Sequence, residues 1–417
     1  MKKIQSIRGF NDIINDIPTW QMLETTLRKL SSLYGYLEIR TPMLEESRLF
    51  ERSIGVTSDI VNKEMYTFCD RNEQSVSLRP EGTASVVRTC IENNLLYDQA
   101  RKWFYIGSMF RRERPQKGRL RQFHQFGMEC LGYDEPFADI EQLMIINQIW
   151  EILELSSKPK LELNYIGTRE TRQAYGAALK AYYEPYLDSM DELNQRRWRE
   201  NTLRLLDSKD PTLIKINSTA PTIASYYTTE EQAQFDTIQS CCHDHTIPFT
   251  VQPSLMRGLD YYTGLIYEWK SDLLGAQSTV CGGGRYDLLF ESLGEKKHGA
   301  CGFSIGLERL IELCPTSPKK QHLTVHLATE STSSLPATLA LSEKLRRLVN
   351  THAYFTQLSS TKTSNLIKRA VKKEADVLVI NNYDSIDEHP MIVKNLRDKS
   401  HQQMNLDELV SYLETLV

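Results

Sequence analysis

Residues 101–130 read RKWFYIGSMFRRERPQKGRLRQFHQFGMEC and contain two stretches with the composition of β-strands, residues 102–111 and 121–130. A polar loop that contains Gly118 separates the two stretches. Strands this close in sequence pair as an antiparallel hairpin, because a parallel pair needs a crossover of about a dozen residues or more. The stretch therefore favours a fold built on an antiparallel sheet.

The same hairpin concentrates positive charge in a chain whose net charge is -4. Between Arg101 and Arg121 there are eight basic side chains and one acidic side chain. Guanidinium groups bind phosphate oxygens two at a time, so this charge indicates a nucleotide or a nucleic-acid end as the ligand. A solvated charged surface is the alternative, and it fits Lys117 and Arg101 best.

The second predicted strand carries unusual side chains on one face. Side chains alternate between the two faces of a strand, which places Arg121, Phe123, Gln125, Gly127 and Glu129 on one side. This face is suited to stacking on a base and to pairing with N–H donors, because it offers a cation, a ring, an amide, a gap and a carboxylate. The alternative is an exposed strand whose polarity has no function.

The composition is that of an ordinary globular protein, with 417 residues, 40% hydrophobic and 25% charged, which allows two or three domains. No apolar run approaches the ~18 residues of a membrane helix, and the start, MKKIQSIRGFND, lacks the apolar segment of a signal peptide. We therefore expect a cytoplasmic protein. No CxxC pair occurs, and CCHDH at 241–245 has no second ligand pair, so we expect no zinc and no other metal site.

The pattern of apolar residues divides the chain into regions. Residues 1–316 include helical spacing at 18–33, and residues 168–245 within them have a mostly helical pattern that we interpret as an insertion. The segment CPTSPKK at 314–320 contains two prolines and is the predicted linker. Residues 321–417 alternate strand and helix patterns, which indicates a small α/β domain.

Four further stretches hold candidate binding residues. LRPEGT presents Glu81 and Thr83 in a turn before a predicted helix, although Thr83 could serve only as the helix cap. MRGLDYYTG holds Arg257 beside two tyrosines, and GFSIGLERL places Arg309 at the start of a helix. CGGGRYD has three consecutive glycines, which permit close backbone approach to a ligand.

In this order, the stretches resemble the class II aminoacyl-tRNA synthetases and, within that class, the histidyl-tRNA synthetase family. EIRTP resembles motif 1 of the class, FRRERPQKGRLRQFHQ motif 2 and GFSIGLERL motif 3, while MRGLDYYTG and CGGGRYD resemble two histidine-specific motifs. The resemblance covers the whole chain. It implies an α+β catalytic domain on an antiparallel sheet (residues 1–316) with a helical insertion at about 168–245, and a C-terminal α/β anticodon-binding domain (residues 321–417).

The resemblance also implies an activity: ATP-dependent activation of L-histidine to histidyl-adenylate and transfer to the 3′ end of tRNA(His). Mg²⁺ would accompany ATP, and the enzyme would be a homodimer without membrane association. The implied histidine contacts are Glu81, Thr83, Arg111, Gln125, Glu129, Arg257, Tyr261 and Tyr262, of which Arg257 and Arg111 would be catalytic. The implied ATP contacts are Arg111, Glu113, Arg119, Phe123 and Arg309, and the implied contacts to the tRNA acceptor end are Arg114 and Gln116.

Individual roles follow from the same resemblance. Arg111 would hold the α-phosphate of ATP and Arg119 the γ-phosphate, while Phe123 would stack on adenine. Glu129 would read the imidazole of histidine. Arg257 would bridge the histidine carboxylate and the α-phosphate.

Two alternatives to this activity share the fold. One is a synthetase-like regulatory subunit of ATP phosphoribosyltransferase, a kind of paralogue that typically erodes the histidine motifs and lacks the anticodon domain. The other is a synthetase for another amino acid, against which the two histidine motifs argue. The sequence departs from the family pattern at Arg112, where His is common, and at Asn381 and Asn382, where a Gly-Glu turn is usual.

Overall fold

The chain folds into two compact units, Met1–Ser317 and Pro318–Val417. The computed structural model describes residues 3–56, 58–97, 99–206, 208, 210–315, 323–385 and 389–416. Residues 316–320 of the predicted linker (314–320) lie outside the described residues. Each unit is therefore described by itself.

The first unit is built on a large, mostly antiparallel sheet. Its strands are β1 (Leu37–Glu38), β2 (Leu44–Glu46), β3 (Tyr66–Cys69), β4 (Ser75–Leu78), β5 (Arg101–Phe110), β6 (Gln122–Leu131), β7 (Lys160–Tyr165), β8 (Phe249–Val251), β9 (Thr263–Lys270), β10 (Thr279–Arg285) and β11 (Ala300–Gly306). The large sheet has the order β1-β5-β6-β11-β10-β9-β7-β8, and β2-β4-β3 form a smaller sheet. Neighbours in the large sheet are antiparallel apart from β1–β5 and β7–β8, which confirms the predicted fold class.

The hairpin predicted from residues 101–130 is present. Strands β5 and β6 pair in antiparallel register from Arg101 opposite Leu131 to Phe110 opposite Gln122. The loop between them turns at Gly118, whose φ of 68° lies in the left-handed region that glycine adopts without strain. This register fixes which β6 side chains share a face.

Helices of the first unit pack beside this sheet and, after β7, form a segment of their own. They are α1 (Ile17–Leu33), α2 (Ser47–Ile54), α3 (Thr83–Glu92), α4 (Phe137–Ile152), α5 (Arg169–Tyr183), α6 (Glu192–Glu200), α7 (Pro211–Asn217), α8 (Thr229–Asp244), α9 (Leu289–Ser292) and α10 (Leu307–Leu313). Helix α1 confirms the helical spacing at 18–33. Helices α5 to α8, joined by short 3-10 turns, occupy residues 169–244, which we call the helical segment.

The main core of the first unit lies on one face of β6. Phe126 and Met128 are buried there against Leu23 and Leu27 of α1 and Ile145 of α4. Burial of each such side chain contributes about 1.5–3 kcal/mol, so this packing holds β6 firmly in place. The opposite face of the same strand is the one that carries Phe123, Gln125 and Glu129.

The second unit is a small α/β structure, as predicted. Its strands are β12 (Thr324–Ala328), β13 (Ala353–Thr356), β14 (Val377–Ile380), β15 (Met391–Asn395) and β16 (His401–Met404), and its helices are α11 (Leu335–Leu348), α12 (Thr363–Lys372) and α13 (Leu406–Thr415). The sheet order is β13-β12-β14-β15-β16, with β12 parallel to both neighbours. Across the described parts of both units, no helix has the length and apolar character needed to cross a membrane.

Candidate active site

A cavity of about 260 Å³ lies in the first unit beside the polar face of β6. Its wall combines the start of α3, the β5–β6 loop, the loop before β9, the glycine-rich β10 and the start of α10. The predicted site residues that line it are Glu81, Thr83, Arg111, Glu113, Arg119, Phe123, Gln125, Arg257, Tyr261, Tyr262 and Arg309. The fold thus brings stretches that are far apart in sequence to one cavity.

Arg111 begins the β5–β6 loop and is oriented from two sides. Its Nε donates to the carbonyl oxygen of Pro80 at 2.9 Å. Its guanidinium carbon lies 5.4 Å from the centre of the Phe123 ring, within the range of a cation–π contact. Both contacts direct the cation toward the cavity that the two side chains line.

Two further arginines add positive charge to the same wall. The Nε of Arg309 donates to the Gly118 carbonyl at 2.9 Å, and its Nη1 donates to the Thr279 carbonyl at 2.6 Å. Arg119 forms an ion pair with Glu113, another of the residues predicted to contact ATP. Fixed guanidinium groups on one wall suit a polyphosphate.

Arg257 is fixed by an ion pair, and it fits its position because Gly282 has no side chain. It forms an ion pair with Glu268 of β9, and its guanidinium carbon lies 5.7 Å from the centre of the Tyr262 ring. A Cβ atom at Gly282 would collide with this guanidinium. Gly282 therefore makes room for Arg257, and it also lines the cavity, so close approach of a ligand at this glycine stays a prediction.

Glu129 lies one layer behind the cavity wall, with 1% of its surface exposed. Its carboxylate accepts a hydrogen bond from Thr83 Oγ1 at 2.7 Å and another from the Tyr286 hydroxyl. Burial raises the pKa of Glu129 to about 8, although the hydrogen bonds from Tyr286 and Thr83 act in the opposite direction. Gly302 provides the space, because a Cβ atom there would collide with the carboxylate.

Glu81 has a structural contact that the sequence did not predict. Its carboxylate oxygens accept the backbone N–H of Thr83 at 2.8 Å and of Ala84 at 2.9 Å, at the start of α3. Burial raises the pKa of Glu81, and these backbone hydrogen bonds lower it. The alternative that Thr83 only caps the helix is wrong: its hydroxyl donates to Glu129 instead.

Comparison with known proteins gives the family. A family model described as histidyl-tRNA synthetase matches residues 15–310 of the chain. The chain belongs to the histidyl-tRNA synthetase family. This confirms the resemblance drawn from the motifs.

Solved structures of histidyl-tRNA synthetases agree in fold. The apo enzyme from S. aureus is 30% identical, covers 99% of this chain and 100% of its own, and superposes with a TM-score of 0.81. The enzyme from Nostoc sp. PCC 7120 is 18% identical over 99% of each chain, with a TM-score of 0.69. A structure described as an ATP phosphoribosyltransferase regulatory subunit/histidyl-tRNA synthetase from Bacillus halodurans C is 20% identical, covers 92% of this chain and 99% of its own, and has a TM-score of 0.66.

In this histidyl-tRNA synthetase family member, neutral polar groups complete the cavity wall. The Oε1 atom of Gln125 is buried and has no hydrogen-bond partner among the described residues, so it is a candidate acceptor for a ligand N–H. The rings of Tyr261 and Tyr262 lie 4.8 Å apart. Burial raises the pKa of both hydroxyls, which therefore remain protonated donors.

Two tyrosines and one acid were not among the predicted site residues. Tyr286 donates a hydrogen bond to Glu129. The sequence signal for Tyr286 was its position in CGGGRYD, directly after the glycine run and Arg285. Glu268 pairs with Arg257, and the sequence signal for it was a charged residue directly after the apolar run LIY in the strand TGLIYEWK. Tyr105 corrects the expectation of a gap for a ligand at Gly127, because its ring already occupies that space.

The residues predicted for the tRNA acceptor end lie apart from the cavity wall. Arg114 and Gln116 are exposed in the β5–β6 loop and are not among the residues that line the cavity. Their role stays a prediction. Within the described residues, no group of three or more His, Cys, Asp or Glu side chains is placed to hold a metal ion.

Proposed function

We propose that this chain is a histidine–tRNA ligase that forms histidyl-adenylate from L-histidine and ATP and transfers the histidyl group to the 3′ end of tRNA(His). Family membership supports this class of activity. One observation carries the proposal: a single cavity joins the buried carboxylate of Glu81, with Glu129 behind it, to four arginines. An amino acid needs both an acceptor for its ammonium group and a cation for its carboxylate, while a triphosphate needs several cations.

ATP is proposed to bind along the arginine-rich wall. Arg111 would hold the α-phosphate, Arg119 the γ-phosphate and Arg309 the nucleotide from the other side, while Phe123 would stack on adenine. The phosphate would compete with Glu113 for Arg119. Once Arg119 is released, the Glu113 carboxylate would accept a hydrogen bond from the amino group of adenine.

Mg²⁺ is proposed to enter with the ATP phosphates. Phosphate and carboxylate oxygens are the ligands that this small, hard cation prefers. Glu268 and Glu308 are carboxylates on the cavity wall, so they fit such an ion chemically. The ion supplies charge neutralisation on the phosphates, and the residues described here supply binding and orientation.

Histidine is proposed to bind beside α3. Glu81, Thr83 and Gln125 would hold the ammonium group, and Tyr261 would help to close the pocket. Glu129, with Tyr262, would read the imidazole. A carboxylate can accept about four hydrogen bonds, so the two that Glu129 already accepts leave capacity for a ligand.

The proposed reaction is driven by position and charge. A carboxylate oxygen of histidine attacks the α-phosphorus of ATP, a new P–O bond forms, and the bond to pyrophosphate breaks. Arg257 and Arg111 stabilise the charge that develops on the carboxylate and phosphate oxygens, which is electrostatic catalysis by preorganised cations. A ribose hydroxyl of tRNA then attacks the histidyl carbonyl, and AMP leaves.

The remaining parts of the proposal concern tRNA and assembly. Arg114 and Gln116 would contact the acceptor end, and the second unit would bind the anticodon. The enzyme would act as a cytoplasmic homodimer. Membership of the histidyl-tRNA synthetase family supports these roles.

ATP–pyrophosphate exchange, measured with each amino acid in turn, tests the proposed function. We expect histidine alone to support exchange. Exchange with another amino acid would contradict the histidine specificity. No exchange with any amino acid, together with activation of an ATP phosphoribosyltransferase catalytic subunit, would favour the regulatory alternative that the B. halodurans structure's description names.

A truncated chain separates activation from tRNA charging. A chain that ends at Pro318 keeps the whole cavity, because every residue that lines it belongs to the first unit. We expect this chain to retain histidine-dependent exchange within about threefold. It should charge tRNA(His) at least about tenfold more slowly, since each loss of about 1.4 kcal/mol in anticodon contacts corresponds to tenfold. Equal charging rates for the full and truncated chains would contradict the role proposed for the second unit.

A further inference from the structure

The loop that carries Arg257, Tyr261 and Tyr262 needs support from outside itself. Residues 256–262, all of which the structure describes, form no strand or helix between β8 and β9. They therefore gain no support from a regular hydrogen-bond ladder. A site that must hold a cation and two rings in fixed positions requires supporting contacts from neighbouring elements.

Side chains from two elements hold the ends of this loop. The Nδ2 atom of Asn164, on β7, donates to the carbonyl oxygen of Leu255 at 3.1 Å. The Nη1 atom of Arg172, on α5, donates to the carbonyl oxygen of Tyr262 at 2.7 Å. Both ends of the loop are thus fixed through backbone carbonyls.

The middle of the loop is fixed at Asp260. Its carboxylate Oδ1 accepts from Asn201 Nδ2 at 3.2 Å and from Arg204 Nη2 at 2.8 Å. Its backbone N–H donates to the Ile54 carbonyl at 3.2 Å. A Cβ atom at Gly55 would collide with the same carboxylate, so the end of α2 is shaped to admit it.

Arg172, Asn201 and Arg204 all belong to the helical segment, and none of the segment's described residues lines the cavity above. The contacts that join the segment to the site therefore run through this loop. We propose that Asn201 and Arg204 are positioning residues for histidine: they fix Asp260 and thereby the orientation of Tyr261 and Tyr262, which follow it directly. This inference rests on the proposed function.

The expected size of the effect follows from the Arg204–Asp260 pair. The two side chains are 16% and 29% exposed, so this hydrogen bond is only partly screened by water. A charge-assisted hydrogen bond of this kind corresponds to about tenfold or more in an equilibrium constant. The bond from the uncharged amide of Asn201 is longer, at 3.2 Å, and corresponds to about threefold.

Two measurements on the full chain test the inference together: hydrogen–deuterium exchange of backbone amides, and steady-state kinetics of ATP–pyrophosphate exchange. In Arg204→Ala we expect the backbone amides of residues 256–262 to exchange with deuterium about tenfold faster. The KM for histidine should rise about tenfold, while the KM for ATP should stay within about twofold of the wild-type value. Arg204→Lys should restore part of both losses, because it keeps the charge without the planar fork. Arg196→Ala is the control: Arg196 lies on α6 and pairs with Glu200 at 3.6 Å, with the two side chains 47% and 42% exposed.

Each outcome decides the inference. Unchanged amide exchange in residues 256–262, or faster amide exchange with an unchanged histidine KM, would overturn it, and so would equal rises in the KM for histidine and for ATP. If Arg204→Ala does not fold, Asn201→Ala gives the same test at about threefold. If the wild type lacks histidine-dependent activity, the proposed function fails, while amide exchange and calorimetric titration with histidine still decide the inference.

Discussion

Arg257→Ala should lower the rate of histidyl-adenylate formation by about 10²–10³, the size observed when one preorganised transition-state donor is removed. The KM values for ATP and histidine should stay within about tenfold, because the cation is needed most when negative charge develops on the α-phosphate. Single-turnover measurement of adenylate formation checks this expectation. Transfer from preformed histidyl-adenylate to tRNA should be affected less.

The alternative is that Arg257 only stabilises the fold through its ion pair with Glu268. Arg257→Lys separates the two roles, because lysine keeps a cation beside Glu268 but lacks the fork that spans two oxygens. We expect Arg257→Lys to recover the melting temperature and only part of the rate. A destabilised Arg257→Ala protein with an unchanged rate would rule out a catalytic role.

Glu129→Gln should raise the KM for histidine by about 10²-fold, because the amide, unlike the carboxyl group, cannot give up a proton when the imidazole binds beside it, which leaves a buried ligand group poorly paired. The KM for ATP should stay within about threefold, since Glu129 lies behind the wall formed by Thr83 and Tyr286. Steady-state exchange kinetics with each substrate varied in turn measure both constants. Equal rises in the two KM values would assign Glu129 a structural role.

The same substitution should change how stability depends on pH. The pKa of Glu129 in the folded protein is about 8, above the ordinary value of 4.5, so the folded state holds a proton that the unfolded chain releases between these values. The free energy of unfolding therefore falls as pH rises from about 4.5 to about 8. Glu129→Gln is neutral throughout and should reduce this fall, and parallel pH slopes in urea unfolding of the two proteins would show that the raised pKa has no effect on stability.

The sequence predicted most of the fold because the decisive patterns are local. Strand alternation at residues 121–130 and helical spacing at residues 18–33 each depend on residues close together in the chain. Strand β16 (His401–Met404) was not predicted, since HQQM is polar and lies at the sheet edge, where no apolar pattern is required.

The site was predicted less completely, because its supporting contacts depend on distant parts of the chain. The resemblance named many of the residues that line the cavity. It did not name Glu268, Tyr286 or Asp260, whose partners become neighbours only on folding. The depth of Glu129 could not be read from alternation either. Alternation gives the face of a strand, whereas depth depends on what packs over it.

The glycines of β10 have a consequence for any attempt to stabilise this protein. Gly282, Gly283 and Gly284 lie within the large sheet, where each glycine costs about 0.5–1 kcal/mol relative to alanine. A search for more stable variants would find these positions attractive by strand propensity alone. At Gly282, however, a methyl group would occupy the space of the Arg257 guanidinium, so a substitution chosen for stability should displace the cation that we propose for catalysis.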